Sequence, residues 1–187
     1  PDMVWQQGTS NLFIGTLNRK QNDWKLYRHD LELNQNNLIL NDTSDTWIDN
    51  DAFLIPENLG SWSSRGGFSF AIMQDGTIVW TSERDGFNHI YRSQSDGRFI
   101  NQVTRGNWEV NGISAIDDKN EIIYFSAKKE SELENHIYSV RFNGSKLKRI
   151  TREEGTHSGN FSPTTDYFID SFSNITTPPK VAVRSSA

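Results

Sequence analysis

The sequence has no cysteine among its 187 residues, so neither a disulfide framework nor a cysteine metal site can form. No apolar run approaches the length of a membrane span, and the first residues show no signal-peptide pattern. Because the chain begins Pro1-Asp2, we interpret it as a mature or excised segment. It also lacks a basic patch: the net charge is −5 and the two signs are interleaved, which argues against nucleic-acid binding.

Hydrophobic residues make up only 34% of the chain, a share low enough to suggest disorder. The chain nevertheless carries six Trp, eleven Phe and five Tyr, whose large apolar surfaces an unfolded chain would leave in water. We therefore expect a folded protein, with one sizeable core or as part of a larger domain.

The most informative pattern is an internal repeat. The tripeptide His89-Ile90-Tyr91 returns 47 positions later as His-Ile-Tyr at 136–138, and Val-Thr-Arg at 103–105 returns at the same offset as Ile-Thr-Arg at 150–152. Residues 78–82 correspond to 122–126 at an offset of 44, and a longer turn at 128–134 accounts for the difference. A period in the forties that carries several short strands predicts the blades of a β-propeller.

Turn signals divide the chain into units at approximately 1–45, 46–106, 107–153 and 154–187. Asp-Gly pairs at 75–76, 85–86 and 96–97 separate alternating runs, which predicts hairpins. The one helix-like stretch, 128–135, falls where the repeat predicts a loop. The sequence thus predicts an all-β chain, a β-propeller segment of about four blades of four-stranded antiparallel sheets. Propellers close with roughly four to eight blades, so we expect part of a larger ring or covered terminal edges.

Two stretches carry a family resemblance. Residues 80–91 read Trp-Thr-Ser-Glu-Arg-Asp-Gly-Phe-Asn-His-Ile-Tyr, and residues 103–110 read Val-Thr-Arg-Gly-Asn-Trp-Glu-Val. Shorter matches occur at 17–22, 46–49, 155–158 and 177–179. In this order they resemble the C-terminal part of the N-terminal propeller of the dipeptidyl peptidase IV family, within the prolyl oligopeptidase superfamily of serine peptidases. Residues 56–67 depart from it, being longer and richer in Gly and Ser than the family's connection there.

The resemblance implies a parent protein that removes N-terminal dipeptides, typically after proline or alanine. In the superfamily the nucleophile lies in Gly-x-Ser-x-Gly, which is absent here, so we predict no catalytic residue in this chain and no hydrolase domain. The family's acidic pair for the substrate amine has no match either. The implied partners are a peptide substrate and a C-terminal α/β-hydrolase domain, with a homodimer left open. The implied location is periplasmic, cell-surface or secreted.

A second interpretation is a stand-alone propeller-like module that binds a peptide or protein, because a fold does not dictate a function.

Candidate substrate-facing residues lie in the predicted loops. Arg19, Gln21 and Asn22 stand between two strands and offer donors and acceptors suited to a peptide, although an Asn-rich turn could equally satisfy its own backbone. Glu83 and Arg84 begin a turn that could face substrate or be purely structural. Two carboxylates near Trp47 complete the set, Asp49 and Asp51.

The histidines do not predict a metal site. His89 and His136 occupy one position of the repeat, so we assign both a structural role within their blades. His157 is expected in a connecting loop without a second ligand nearby, and His29 stands alone. We therefore predict no metal and no cofactor.

Overall fold

The computed structural model describes residues 2–6, 8–48 and 70–187. Within these ranges every regular element is a β-strand, and the strands form four antiparallel sheets that follow one another along the chain. This confirms the prediction of an all-β fold built from propeller blades. The structure matches the predicted four-stranded sheets in the first three, while the fourth has three strands.

Each sheet is a simple meander, with neighbours in the sheet also neighbours in sequence. The first contains β1 (Asp2–Trp5), β2 (Leu12–Leu17), β3 (Asp23–Asp30) and β4 (Gln35–Thr43). The second contains β5 (Phe70–Ile72), β6 (Ile78–Ser82), β7 (His89–Ser93) and β8 (Phe99–Gln102). The third contains β9 (Val110–Asp117), β10 (Ile122–Ala127), β11 (His136–Arg141) and β12 (Lys148–Arg149), and the fourth β13 (Thr156–Phe161), β14 (Tyr167–Ser173) and β15 (Lys180–Ser185).

The predicted Asp-Gly hairpins are confirmed by the backbone. Gly76, Gly86 and Gly97 have φ of 83°, 100° and 87°, a region that glycine enters without steric cost. In the first of these turns the Asp75 carboxylate also accepts the backbone N–H of Thr77 at 2.8 Å. The sequence therefore fixes the strand ends through ordinary turn chemistry.

Aromatic side chains fill the spaces between sheets. Trp24 of the first sheet stacks on Trp80 of the second, with ring centroids 6.3 Å apart. Trp108, just before the third sheet, stacks on Phe125 at 6.1 Å, and Phe161 of the fourth sheet lies 4.6 Å from Tyr124 of the third. These contacts supply the apolar burial that the low aliphatic content could not.

The 47-residue repeat has a direct structural cause. Asn88 brackets Val110, the first residue of the next sheet: its carbonyl accepts the Val110 N–H at 2.8 Å, and its side-chain amide donates to the Val110 carbonyl at 2.8 Å. Asn135 makes the same two contacts with His157, at 2.8 and 2.7 Å. We call this paired contact the asparagine clasp.

The histidine that follows each clasp binds within its own blade. His89 Nδ1 lies 3.0 Å from the Thr104 hydroxyl, which also accepts the Ile90 N–H, and its Nε2 lies 3.0 Å from the Gly106 carbonyl. His136 makes the equivalent contact with Thr151 at 3.1 Å. The structural assignment of both histidines is therefore confirmed.

The expectation for His157 was wrong. It lies on strand β13, not in a loop, and it is fully buried. Its Nδ1 contacts the equally buried Asp170 at 2.8 Å, and its Nε2 contacts the Glu153 carbonyl at 3.0 Å. Arg184 donates from Nε to Asp170 at 2.6 Å and completes the network.

Candidate functional site

The meander topology sorts the loops onto two ends of the blades. At one end, which we call the connection end, the second strand of each sheet leads into the third (18–22, 83–88, 128–135 and 174–179) and one sheet leads into the next (103–109 and 150–155). The opposite end, the turn end, carries the remaining hairpins. Arg19, Gln21, Asn22, Glu83 and Arg84 therefore all belong to the connection end, which is our candidate functional site.

The turn at 18–22 holds itself rigidly. Asn18 accepts the Asn22 N–H on its Oδ1 at 3.0 Å and donates from Nδ2 to Asn22 Oδ1 at 2.9 Å. Gln21 has a left-handed φ of 57°, and its carbonyl accepts the Ile48 N–H at 2.6 Å. The backbone of this turn is satisfied, as the structural interpretation expects, while the side chains of Arg19 and Gln21 remain exposed.

Asn22 occupies the position that precedes the third strand of its sheet, as Asn88 and Asn135 do in theirs. Its carbonyl accepts the Ser44 N–H at 3.0 Å. Because Asn22 has the same position relative to its strand as Asn88 and Asn135, we expect it to have a structural role and not to contact a substrate.

Arg84 ties the first sheet to the second. Its Nη2 donates to Asp42 Oδ1 at 3.1 Å, and Ser82 donates its hydroxyl to the other oxygen of the same carboxylate at 2.6 Å. The Asp42 side chain is only 8% exposed, whereas that of Arg84 is 37% exposed. The guanidinium thus neutralises a buried carboxylate and keeps one side towards solvent.

The Arg84 guanidinium also lies over two aromatic rings, 4.3 Å from the centroid of Trp80 and 5.2 Å from that of Tyr91. This cation–π placement fixes the side chain further. Burial, followed by the negative charge of Asp85, raises the pKa of the Tyr91 phenol far above its usual value. The Tyr91 hydroxyl is buried and has no hydrogen-bond partner among the residues that the structure describes.

Glu83 begins the same turn and is exposed, and its carbonyl accepts the Gly86 N–H at 2.8 Å. The turn at 83–86 therefore has the structure that the non-functional interpretation expects. The two remaining candidates, Asp49 and Asp51, lie outside the described residues.

The described residues contain no hydrolytic relay. The buried His157–Asp170 pair resembles the histidine and aspartate of a catalytic triad. However, Nε2 of His157, the nitrogen that would bind a nucleophile, contacts the Glu153 carbonyl. No group of three or more potential metal ligands occurs in the ranges described. In those same ranges, no helix has the length and apolar character needed to cross a membrane.

Sequence reasoning missed two parts of this end. Asp42 carries no local signal, because its partner Arg84 is 42 positions away. The clasp residues Asn88 and Asn135 did carry one, since each precedes the repeated histidine at the same 47-residue offset.

The four meander sheets and the contacts between them define the class of the fold: a segment of a β-propeller. The chain belongs to the family described as the dipeptidyl peptidase IV (DPP IV) N-terminal region, whose model matches residues 1–179. The resemblance predicted from the motifs is thereby confirmed.

Relatives and solved structures agree with this membership. The chain is 26% identical over 181 residues to dipeptidyl peptidase 4 of Arthroderma otae, an alignment that covers 95% of this chain and 22% of the relative. It is 43% identical over 79 residues to a Colletotrichum graminicola protein described as "Probable dipeptidyl-aminopeptidase B", covering 42% of this chain and 9% of that protein. The crystal structure of Porphyromonas gingivalis dipeptidyl peptidase 4 matches with a TM-score of 0.84 and 27% identity, over 98% of this chain and 24% of that one. The chain thus spans less than a quarter of the length of each of these relatives.

Proposed function

We propose that this chain is a non-catalytic propeller segment of a dipeptidyl peptidase IV-like serine exopeptidase. Its connection end gates and docks the N-terminus of a peptide for an α/β-hydrolase domain outside the chain. Holding the substrate near a distant nucleophile raises the effective concentration of the reacting groups. Relatives named as dipeptidyl peptidases support the proposal.

The observation that carries the proposal is the turn at 18–22. Its backbone is locked by Asn18 and Asn22, so the exposed Arg19 and Gln21 side chains project from a rigid base. A rigid base lowers the entropic cost of binding, because only the two side chains must be ordered. Arginine and glutamine together supply donors and one acceptor, which match the carbonyl and amide groups of an extended peptide.

Arg84 has a different role in this proposal. Its guanidinium is held by Asp42 and by two aromatic rings, so it positions the neighbouring turn more than it contacts a peptide. Glu83 is exposed beside it and remains a candidate for the amine of a substrate.

The test uses the full-length peptidase with Arg19→Ala and Gln21→Ala. Contacts of the turn with the extended backbone of a substrate would be available to a longer peptide and not to a dipeptidyl anilide, so both substrates are compared. We expect KM for the longer peptide to rise about three- to tenfold, the effect of one lost hydrogen bond, with the anilide kinetics unchanged. Arg98→Ala at the turn end is the matched control.

Equal KM values for the longer peptide in all three variants would refute docking at this turn. Turnover of a Gly-Pro anilide by the purified 187-residue chain would refute its non-catalytic assignment.

Two apolar rows disfavour the alternative of a stand-alone binding module. Met3, Ile14, Tyr27 and Leu38 are paired in register across the first sheet, and Met3 and Leu38 are 62% and 51% exposed. Val181 and Val183 on the last strand are 71% and 73% exposed. Large exposed apolar surfaces are more typical of an interface than of an isolated domain. Sedimentation of the pure chain separates the two, since a stable monomer would favour the stand-alone module.

We also propose, from family membership, a periplasmic, cell-surface or secreted location and a homodimeric parent. Fractionation of the host and the sedimentation mass of the full-length protein test these two points. A parent recovered only in the cytoplasm, or only as a monomer, would overturn them.

A further inference from the structure

A cavity of about 350 Å³ lies between the third and fourth sheets at the turn end of the blades. Its floor is formed by β10 and β11, and its rim by the hairpins at 117–122 and 161–167 and by the last residues of the chain. This volume is at the lower end of the range for pockets that bind small molecules. Among the candidate substrate-facing residues that the structure describes, none lines it.

Negatively and positively charged side chains lie on opposite sides of this cavity, as the strand pairing of the third sheet shows. Asp117, Ile122 and Arg141 are direct cross-strand neighbours and form one row on the face that lines the cavity. The next row contains Tyr124, Ser139 and Lys148. A carboxylate thus lies on one side and cations on the other, and the backbones of Asp117 and Arg141 are two strand spacings, about 10 Å, apart.

The charged groups on both sides are available. Arg141, Lys146 and Lys148 have no ion-pair partner in the part of the chain that the structure describes. On the opposite rim, Asp166 accepts no side-chain hydrogen bond from a described residue and is exposed.

The neighbouring carboxylate of Asp117 is held in place by the side chains of Asn120 at 2.7 Å and Thr165 at 3.2 Å. Fixed and unpaired charges of opposite sign in one cavity favour a ligand that carries both signs.

Tyr124 lies between the two charged sides and is almost fully buried. Burial raises the pKa of its phenol, the hydrogen bond with the side chain of Ser186 lowers it in part, and the Asp117 and Asp166 carboxylates add to the rise. The hydroxyl therefore stays protonated and can donate to or accept from an uncharged polar group.

We propose that this cavity binds a free dipeptide as a zwitterion. The ammonium group faces Asp166 and Asp117, the carboxylate faces Arg141 and Lys148, and the peptide unit lies over Tyr124. A single amino acid separates its charges by one carbon, whereas a dipeptide separates them by about 7 Å and can reach both sides. The ligand follows from the cavity alone and does not depend on the function proposed above.

The test is isothermal titration calorimetry on the full-length protein purified from its host, with alanyl-alanine as the probe. We expect saturable binding of alanyl-alanine and none of N-acetyl-alanyl-alanine amide, which has the same backbone but neither charge. Arg141→Gln and Asp166→Asn should each weaken binding by about tenfold or more, as expected for the loss of a charge-assisted contact. Arg105→Gln, an exposed arginine at the connection end, should bind as the unaltered protein does.

Three results would overturn the proposal. Absence of binding would mean that the site is not a ligand site, for example because a further stretch of protein fills it. Equal binding by the Arg141 and Asp166 variants would place the dipeptide elsewhere. Equal binding of the blocked compound would show that charge plays no part. Circular dichroism of each variant confirms that it is folded, and both substitutions lie at the surface, outside the core.

Discussion

The α-carbon of Gly97 faces the carbonyl oxygen of Ile39, so closely that a Cβ at position 97 would lie 1.9 Å from that oxygen. The hairpin of the second sheet thereby rests on the backbone of β4 in the first. Gly144 stands 47 positions later and approaches the Val103 carbonyl in the same way, at 2.9 Å for an added Cβ. Glycine at these turns serves the junction between blades as well as the turn itself.

Gly97→Ala should therefore destabilise the chain by about 2–5 kcal/mol, because the clash with Ile39 adds to the cost of a left-handed alanine. Gly86→Ala is the matched control: its φ is also positive, at 100°, but an added Cβ would meet no atom of the described residues within 4 Å. Only the backbone cost of about 1–2 kcal/mol is expected there. Urea denaturation measures both, and equal losses would show that the contact with Ile39 is not close.

The asparagine clasps should contribute more to the free energy of unfolding than the partial exposure of their side chains suggests. Asn88→Ala removes one side-chain hydrogen bond and leaves the Val110 carbonyl without it, so we expect a loss of about 1–2 kcal/mol. Asn135→Ala should lose at least as much, because the His157 carbonyl and the side-chain amide of Asn111, which donates to Asn135 Oδ1 at 2.8 Å, both lose their partner. Asn37→Ala, an exposed asparagine on an edge strand, should change the free energy of unfolding by less than about 0.5 kcal/mol. Thermal unfolding that ranks Asn37→Ala with the other two would contradict the clasp.

Two arginine ion pairs should differ in their effect. Arg84→Met leaves the Asp42 carboxylate, 8% exposed, with Ser82 alone, and we expect a loss of about 1–2 kcal/mol after allowing for the partial exposure of Arg84. Arg98→Met breaks a pair whose side chains are 74% and 48% exposed, and no measurable change is expected. Guanidinium chloride is avoided because its salt screens both pairs, so urea melts at low ionic strength are compared. Identical curves for both variants would show that Arg84 contributes no more than a surface pair.

The tyrosines at the repeat position offer a contrast in hydrogen bonding. Tyr138 donates its hydroxyl to Glu130, whereas the buried Tyr91 hydroxyl has no partner among the described residues. Tyr138→Phe should cost about 1 kcal/mol, while Tyr91→Phe should be neutral or stabilising at pH 7. Thermal melts of both variants decide this, and a loss at Tyr91 as large as that at Tyr138 would show that its hydroxyl is bonded.

The raised pKa of Tyr91 adds a pH dependence with a definite sign. Its phenol ionises more readily in the unfolded chain, near pH 10, than in the folded one, so its contribution is complete below that pH and is lost as pH rises above it. Tyr91→Phe should therefore flatten the loss of stability as the pH rises above about 10. Alkaline denaturation curves that coincide for the two proteins would contradict this.

The sequence predicted much of the framework because the framework repeats. His89 and His136, with their threonines, occur at one offset, and Asp-Gly pairs mark the hairpins. The strand carrying His157 was not recognised, because Thr156–Phe161 has almost no apolar alternation of its own. Its burial depends on Asp170 and on the ring of Phe172, 5.1 Å away on the neighbouring strand.

The candidate site was predictable only in part, for a related reason. The turn at 18–22 could be predicted from its composition. The structure shows that Asn18 and Asn22 hydrogen-bond within the turn and that other side chains of the turn are exposed. The restraint on Arg84 comes from Asp42 in another sheet, and no local pattern encodes such a partner. Only the contacts between blades show which residues of the connection end have a structural role and which remain available to bind a substrate.

The asparagine clasps also bear on how the chain comes apart. Each one joins a blade only to the blade that follows, as in other arrays whose units contact their nearest neighbours. Unfolding of one blade is then coupled to unfolding of the next only through the junction between them. A weakened junction becomes a boundary between two units that unfold separately. Amide hydrogen exchange in an Asn135→Ala protein should show the fourth sheet opening on its own while the first two retain their protection.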